Sequence, residues 1–293
     1  MDVTESMGFA AYAHGMHAIA GVFFDADNDG WTDVLILGLR TPTKLFRNRG
    51  GKFVEDPGAM PKEELGKPWD IALLDYDLDG YFDIFILNYL APNQRMGGDK
   101  DQYAHIAVGN KDYGGPNFLL KNEAGKKFSI VPNAGGLSSG RMTQAAAVGD
   151  FNDDLYPDIF LANDYGFDAL FLNQAGKGFQ ESDTIGSIRS RNSMSGATGD
   201  FNNDGKIDIY VTNVNKAGIR RGFNSLWENS GNGALIDRGT AASVAKCGWS
   251  WGAAFVDMDK DGWQNIFVVN GHHGKKKNKH WYRPLNHLSL HLH

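Results

Sequence analysis

Apolar residues in this chain fall into short runs, paired around an acidic turn. "AIAGVFFD" leads into the first turn and "VLILG" leads out. Later pairs read "DIALLD" and "IFILNY", "AAAVGD" and "IFLAN", "GATGD" and "IYVTN", "GAAFVD" and "IFVVNG". The runs are bounded by Gly or Asn and rich in Val, Ile, Phe and Tyr, which predicts strands rather than helices. Their nearly continuous apolar character predicts sheets covered on both faces. A third run ends in an Asn-containing turn: "KLFRNRGGKF", "NFLLKNEAGKKF", "ALFLNQAGKGF" and "SLWENSGNGAL". "FVEDPG", "FSIVPNAGGL" and "FQESDTIG" then supply a fourth.

Four antiparallel strands per unit of about 50 residues is the pattern of a β-propeller blade. The sequence therefore predicts an all-β fold, a β-propeller of four-stranded antiparallel blades with five repeats encoded. The alternative is part of a six- or seven-bladed ring. Residues 1–293 are expected to form one propeller domain. It carries a long insertion loop at 91–116 in the second repeat and an atypical C-terminal segment at 272–293. In that segment "NHLSLHLH" is expected to serve as the third strand of the last blade. "DVTES" near the N-terminus is expected to complete that blade and so remove a free sheet edge.

The turns themselves repeat: "DADNDGWTD", "DYDLDGYFD", "DFNDDLYPD", "DFNNDGKID" and "DMDKDGWQN", starting at Asp25, Asp75, Asp150, Asp200 and Asp257. Like charges this close repel, so a counter-ion is expected. Oxygen ligands at positions one, three, five and nine, with Gly at six and a backbone carbonyl at seven, suit a hard divalent cation. Ca²⁺ fits better than Mg²⁺, which demands a smaller octahedral shell. The predicted ligands are Asp25, Asp27, Asp29 and Asp33; Asp75, Asp77, Asp79 and Asp83; Asp150, Asn152, Asp154 and Asp158; Asp200, Asn202, Asp204 and Asp208; and Asp257, Asp259, Asp261 and Asn265. Up to five Ca²⁺ ions are expected. An EF-hand would require Glu at position twelve. That position holds Ile36, Ile86, Leu161, Val211 and Val268. By acidic content the first two loops should bind best and the fourth and fifth next. The third should bind worst, since Leu155 replaces its Gly.

Charge and composition narrow the function. The formal charge is only −6, but the five loops hold about half of the 35 acidic residues. Nucleic acid is not expected on that face. No apolar run reaches the ~18 residues of a membrane span. "MDVTESMGF" lacks the charged-then-apolar pattern of a secretory signal. The single cysteine, Cys247, excludes an internal disulfide framework and a Cys-rich zinc site. "GWSWG" (Gly248 to Gly252) matches the hydrolase nucleophile pattern, but that motif needs a helix after it. Here a strand and a metal loop follow, so Trp249 and Trp251 are expected to pack between blades. His14 and His17 could line a channel. The insertion, with Arg95, Tyr103, His105 and Tyr113, could form a partner surface. The C-terminal histidines and the basic run beginning at Lys275 read as a solvated tail.

"AGVFFDADNDGWTDVLIL" and its four relatives resemble the FG-GAP/VCBS repeats of integrin α-subunit propellers and of many bacterial secreted proteins. "GWSWGAAFVDMDKDGWQNIFVVNGH", "NSMSGATGDFNNDGKIDIYVTN" and the insertion from "NYLAPNQ" to "DYGGPNFLLKN" are similar to the ASPIC/UnbV group, bacterial relatives of cartilage acidic protein. The resemblance implies calcium-dependent binding, adhesion or assembly in an extracellular or periplasmic setting, with a protein or carbohydrate partner, and no known reaction. Two departures stand out. The family often has a cysteine pair around "CGP", where this chain reads Gly114-Gly115-Pro116, and the family chain runs on into a C-terminal domain where this one stops in "HLSLHLH". A subunit of a larger assembly, or an enzyme using the channel for carbohydrate or small-molecule chemistry, are the alternatives. No carboxylate pair outside the loops supports the enzyme.

Overall fold

The computed structural model describes residues 3–9, 17–39, 41–91, 114–138, 140–183, 192–216, 220–271 and 287–290. Each apolar run forms the strand expected of it. The first sheet holds β1 (Ala18–Phe24), β2 (Asp33–Gly38), β3 (Lys44–Asn48) and β4 (Phe53–Glu55). The second holds β5 (Pro68–Leu74), β6 (Asp83–Asn88), β7 (Phe118–Asn122) and β8 (Phe128–Ile130). In the third lie β9 (Thr143–Gly149), β10 (Asp158–Asn163), β11 (Ala169–Asn173) and β12 (Phe179–Glu181). The fourth begins with β13 (Ser193–Gly199) and β14 (Asp208–Asn213). A side ribbon of β15 (Asn215–Lys216) and β16 (Arg220–Arg221) follows, and then β17 (Ser225–Asn229) and β18 (Leu235–Asp237) complete the sheet. The last sheet has β19 (Ser250–Val256), β20 (Asn265–Asn270) and β21 (His287–Leu290). The chain is all-β and is built from the four-stranded antiparallel sheets that form propeller blades.

Two compact units divide the chain. One holds the first two sheets and the Asn173–Gln180 hairpin of the third; the other holds the rest of the third with the fourth and fifth. Within each unit the second strand of each four-stranded sheet is buried along nearly its whole length. In the first unit Leu35 and Leu37 of β2 share a core with Ile84 and Ile86 of β6. In the second, Phe160 and Leu170 share a core with Ile209 and Val211, and Tyr210 and Leu226 with Ile266 and Val268. The near-continuous hydrophobicity of these strands follows from this double burial.

The two terminal expectations part ways. β21 pairs antiparallel with β20, so "HLSL" is the third strand of the last sheet. The described N-terminal residues, 3–9, do not form a strand of that sheet. Residues 3–9 form a turn, closed by the Met7 N–H donating to the Val3 carbonyl at 2.9 Å. The turn caps the first sheet instead. The Phe53 N–H donates to the Met7 carbonyl at 2.9 Å, and the Phe9 ring lies 5.1 Å from Phe46 and 5.0 Å from Phe53. Packing the partly buried Met7 and Phe9 against Val34, Phe46 and Phe53 of the first sheet outweighs an edge pairing that "DVTES", with little apolar content, could support only weakly. Among the described residues the last sheet has three strands.

Most of the insertion at 91–116, with Arg95, Tyr103, His105 and Tyr113, lies outside the described residues. So do His14, the basic run and His272, His273, His280, His291 and His293. At its described end, a side chain on Gly114 would start 2.0 Å from the Arg141 carbonyl oxygen, so a cysteine has no room there. Among the described residues no helix is long and apolar enough to cross a membrane.

Candidate metal centre

All five acidic loops fold the same way, and their own backbone N–H groups hold the carboxylates. The first Asp accepts from positions five and six. Asp29 N–H and Gly30 N–H reach Asp25 at 3.2 and 2.8 Å, and Asp79 N–H and Gly80 N–H reach Asp75 at 3.0 and 2.9 Å. Asp150, Asp200 and Asp257 accept from their loops in the same way. The position-five Asp then accepts from the N–H of position seven, as Asp29 does from Trp31 at 2.8 Å and Asp261 from Trp263 at 2.8 Å.

This winding needs left-handed backbone twice. Position six has φ of 85° at Gly30, 89° at Gly80, 83° at Gly205 and 88° at Gly262. Position four is left-handed as well, at Asn28, Leu78, Asp153, Asn203 and Lys260. The sequence did not announce this second requirement, because only Asn and Asp among those five residues favour it. Leu155 takes position six at φ 75° and is 81% exposed, so it bears the torsional cost with little packing in return. Leu155→Gly is expected to stabilise the protein by roughly 0.5–1 kcal/mol, the left-handed penalty less the entropy of glycine, measured by urea unfolding.

The loops gather their charges unequally. Carboxylate oxygens of Asp25, Asp27 and Asp29 lie within 4.8 Å of one another, as do those of Asp75, Asp77 and Asp83, and of Asp257, Asp259 and Asp261. The third and fourth loops bring no such carboxylate trio together among the described residues. There Asn152 donates to Asp154 at 3.0 Å and Asn202 to Asp204 at 3.2 Å. Asp27 and Asp77 each keep one buried oxygen, Oδ1, with no hydrogen-bond partner. An all-oxygen donor set with orphaned carboxylate oxygens fits a hard cation.

Position nine, expected only as a ligand, is also a structural clasp. Asp33, Asp83, Asp158 and Asp208 are fully buried. Asp83 accepts the Tyr76 N–H at 3.1 Å on one oxygen and the Asn122 N–H at 2.7 Å on the other. Asp33 does the same with Ala26 and Asn48, and Asp208 with Phe201 and Asn229. Asn265 accepts the corresponding bond from the Met258 N–H, at 3.0 Å. Burial raises Asp83 to about 7 and Asp208 to about 6, with neighbouring loop carboxylates adding to the shift. Burial also raises Asp27, against the pull of Arg47.

Sequence reasoning missed two further groups. The first is the Asn that ends the third strand. Asn122 donates from its side chain to the Phe82 carbonyl of its own loop at 3.1 Å and to the Ala26 carbonyl of the preceding loop at 2.9 Å. Asn173 reaches the Tyr76 carbonyl at 2.8 Å. Each of these third-strand hairpins therefore clamps the loop before it. The recurrence of "N-x-x-G" after the third strand was the available signal. The second is a set of basic side chains within the cages. Arg47 lies 3.1 Å from Asp33 and 3.5 Å from Asp27, Arg49 lies 3.0 Å from Asp29, and Lys121 contacts both Asp77 and Asp79.

Other candidates resolve simply. Ser250 of "GWSWG" is fully buried at the start of β19 and accepts from Asn224 at 3.1 Å, with no helix after it. Trp249 and Trp251 stack at 6.4 Å, and Trp251 is half-exposed rather than packed between sheets. His17 is exposed, and its carbonyl accepts the Leu39 N–H at 2.8 Å.

Sheets of this type joined through acidic turns define a repeat protein of the blade-forming class. More particularly, the FG-GAP-like repeat family model matches residues 25–86 and 150–211, so the chain carries FG-GAP-like repeats. No curated protein matches it. Similar solved structures include BBS1N in complex with ARL6DN, soaked with lead, at 9% identity over 86% of this chain and 75% of that one, with a TM-score of 0.43. The same complex soaked with mercury matches at 11% identity over 87% and 90%, with a TM-score of 0.30.

Proposed function

We propose that this chain is a calcium-stabilised binding module that works outside the cytoplasm, with its acidic loops as Ca²⁺ sites. The observation that carries the reading is the shared loop geometry. Repeated backbone hydrogen bonds turn the carboxylates of a loop toward one centre, where Asp27 and Asp77 each hold a buried oxygen without a partner. Asp25, Asp27 and Asp29 would hold one ion, Asp75, Asp77 and Asp83 a second, and Asp257, Asp259 and Asp261 a third. The third and fourth loops would bind through Asp150, Asn152, Asp154 and Asp158, and through Asp200, Asn202, Asp204 and Asp208. A bound ion would add positive charge beside the buried Asp83 and Asp208, and so offset the burial that raises them.

Sites of this modest acidity suit the ~10⁻⁴–10⁻³ M affinities of extracellular modules. That supports an extracellular or periplasmic setting, in keeping with the ASPIC/UnbV resemblance. The module's partner would be a protein or a carbohydrate, bound on surfaces that the ions hold in shape. Saturating Ca²⁺ is expected to raise the melting temperature by about 5 °C or more over the chelated protein, from a few kcal/mol of linkage. Scanning calorimetry with and without chelator tests this, and an unchanged melting temperature removes the metal's structural role.

A further inference from the structure

The two loops with Asp at all four predicted ligand positions also hold the closest side-chain cations; in the fourth loop Lys206 Nζ stands farther off, 3.9 Å from Asp204 Oδ2. Lys121 hydrogen-bonds Asp77 Oδ2 and Asp79 Oδ2 together, and its Nζ stands 5.6 Å over the Tyr76 ring. In the first loop Arg47 Nη1 donates to Asp33 Oδ2 at 3.1 Å, and Arg49 Nη1 to Asp29 Oδ2 at 3.0 Å. Arg47 and Lys121 occupy the same register position, one residue before the clamping Asn of the third strand. The same position holds Leu172 in β11 and Glu228 in β17. Glu228 pairs outward with Arg238 at 2.5 Å. Asp257, Asp259 and Asp261 pair with no basic side chain among the described residues.

We propose that Lys121, and Arg47 with Arg49, are built-in counter-ions that compete with the divalent cation for the same carboxylate oxygens. This rests on the calcium reading above and specifies its regulation. An ammonium shared by Asp77 and Asp79 supplies about half the charge of Ca²⁺ and takes an oxygen of Asp77, a member of the second trio, and one of Asp79, a predicted ligand beside it. A cation can fill these loops only by displacing it. The first two loops therefore keep their shape when calcium is scarce and take it up at higher concentration than their acidity suggests. The fifth loop, whose carboxylates pair with no basic side chain among the described residues, depends on the ion itself. The first two loops, best by their predicted ligands, therefore fill later than those ligands alone would place them.

The test is calcium titration by calorimetry on the full chain, with Lys121→Met as the probe variant. The second-loop site is identified as the one lost in Asp77→Asn. Lys121→Met is expected to tighten that site at least about tenfold, the scale for removing a unit charge ~4 Å from the ion when water screens it at a dielectric constant near 80. It should also lower the melting temperature of the chelated protein. Glu228→Lys, which places a cation at the same register in the fourth sheet, should weaken the Asp200–Asp208 loop by a similar factor. It also serves if Lys121→Met does not fold. Calcium binding with affinities unchanged in both variants overturns the proposal while leaving the calcium reading intact. Absence of binding in every variant and in the parent overturns both.

Discussion

Asp83→Ala is expected to cost the metal-free protein about 3–5 kcal/mol, from two orphaned buried donors and the cavity left behind. The carboxylate is fully buried, and each of its oxygens accepts a backbone N–H, from Tyr76 and from Asn122. Alanine leaves both donors dry. Asp83→Asn keeps one good acceptor, the arrangement that Asn265 already uses with Met258, and should cost only about 1–2 kcal/mol. Urea unfolding in chelator gives both values without any contribution from metal. Burial also gives Asp83 a pH signature. Its carboxyl is raised from 3.8 to about 7, so between those values the folded state holds a proton that the unfolded chain releases. Its contribution is full below about pH 4 and is lost as the pH rises through 7. Asp83→Asn should remove that part of the slope. Equal costs for the alanine and asparagine variants would show that the clasp is not what holds the loop.

The strands were legible because their cause is local. Short runs rich in β-branched and aromatic residues, bounded by Gly or Asn, mark the strands of the five sheets, though not the side ribbon of β15 and β16, without reference to anything distant. The strain at Leu155 was legible for the same reason, since one position in a repeated turn broke the rule that the other four kept. Contacts between neighbouring sheets were not. Asn122 meets Ala26 across 96 residues and Asn173 meets Tyr76 across 97, and no window of sequence shows such a pair. The basic residues were hidden differently. Arg47 and Lys121 look like ordinary exposed positions of a third strand, and only the sheet's register turns them into a cage of carboxylates. Ranking loops by acidic count therefore measured one sign of charge and missed the other. The N-terminal turn was misjudged because edge pairing was weighed and the burial of Met7 and Phe9 was not.

Gly125→Ala tests the clamp between sheets, with an expected loss of about 3–5 kcal/mol. Gly125 has φ 76°, and its N–H donates to Asn122 Oδ1 at 2.8 Å. A methyl group there would stand 2.7 Å from the Asp27 Cα, which is backbone and cannot swing away. The Gly125 carbonyl also accepts from Arg47 at 2.7 Å, so any retreat of the hairpin disturbs the counter-ion of the first loop. Gly51 is the matched control. It has φ 90° and receives the same side-chain bond, from its N–H to Asn48 Oδ1 at 2.8 Å, but nothing lies within 4 Å of its added carbon. Gly51→Ala should cost only the left-handed penalty, about 1–2 kcal/mol. The difference between the two variants isolates the contact between the hairpin and the loop before it. Gly125→Ala should also loosen calcium binding at Asp25, Asp27 and Asp29, whereas Gly51→Ala should leave it close to the parent value. Matching losses for the two variants in urea unfolding would mean that the hairpin merely rests on the loop, and that each acidic turn holds its shape by its own hydrogen bonds alone.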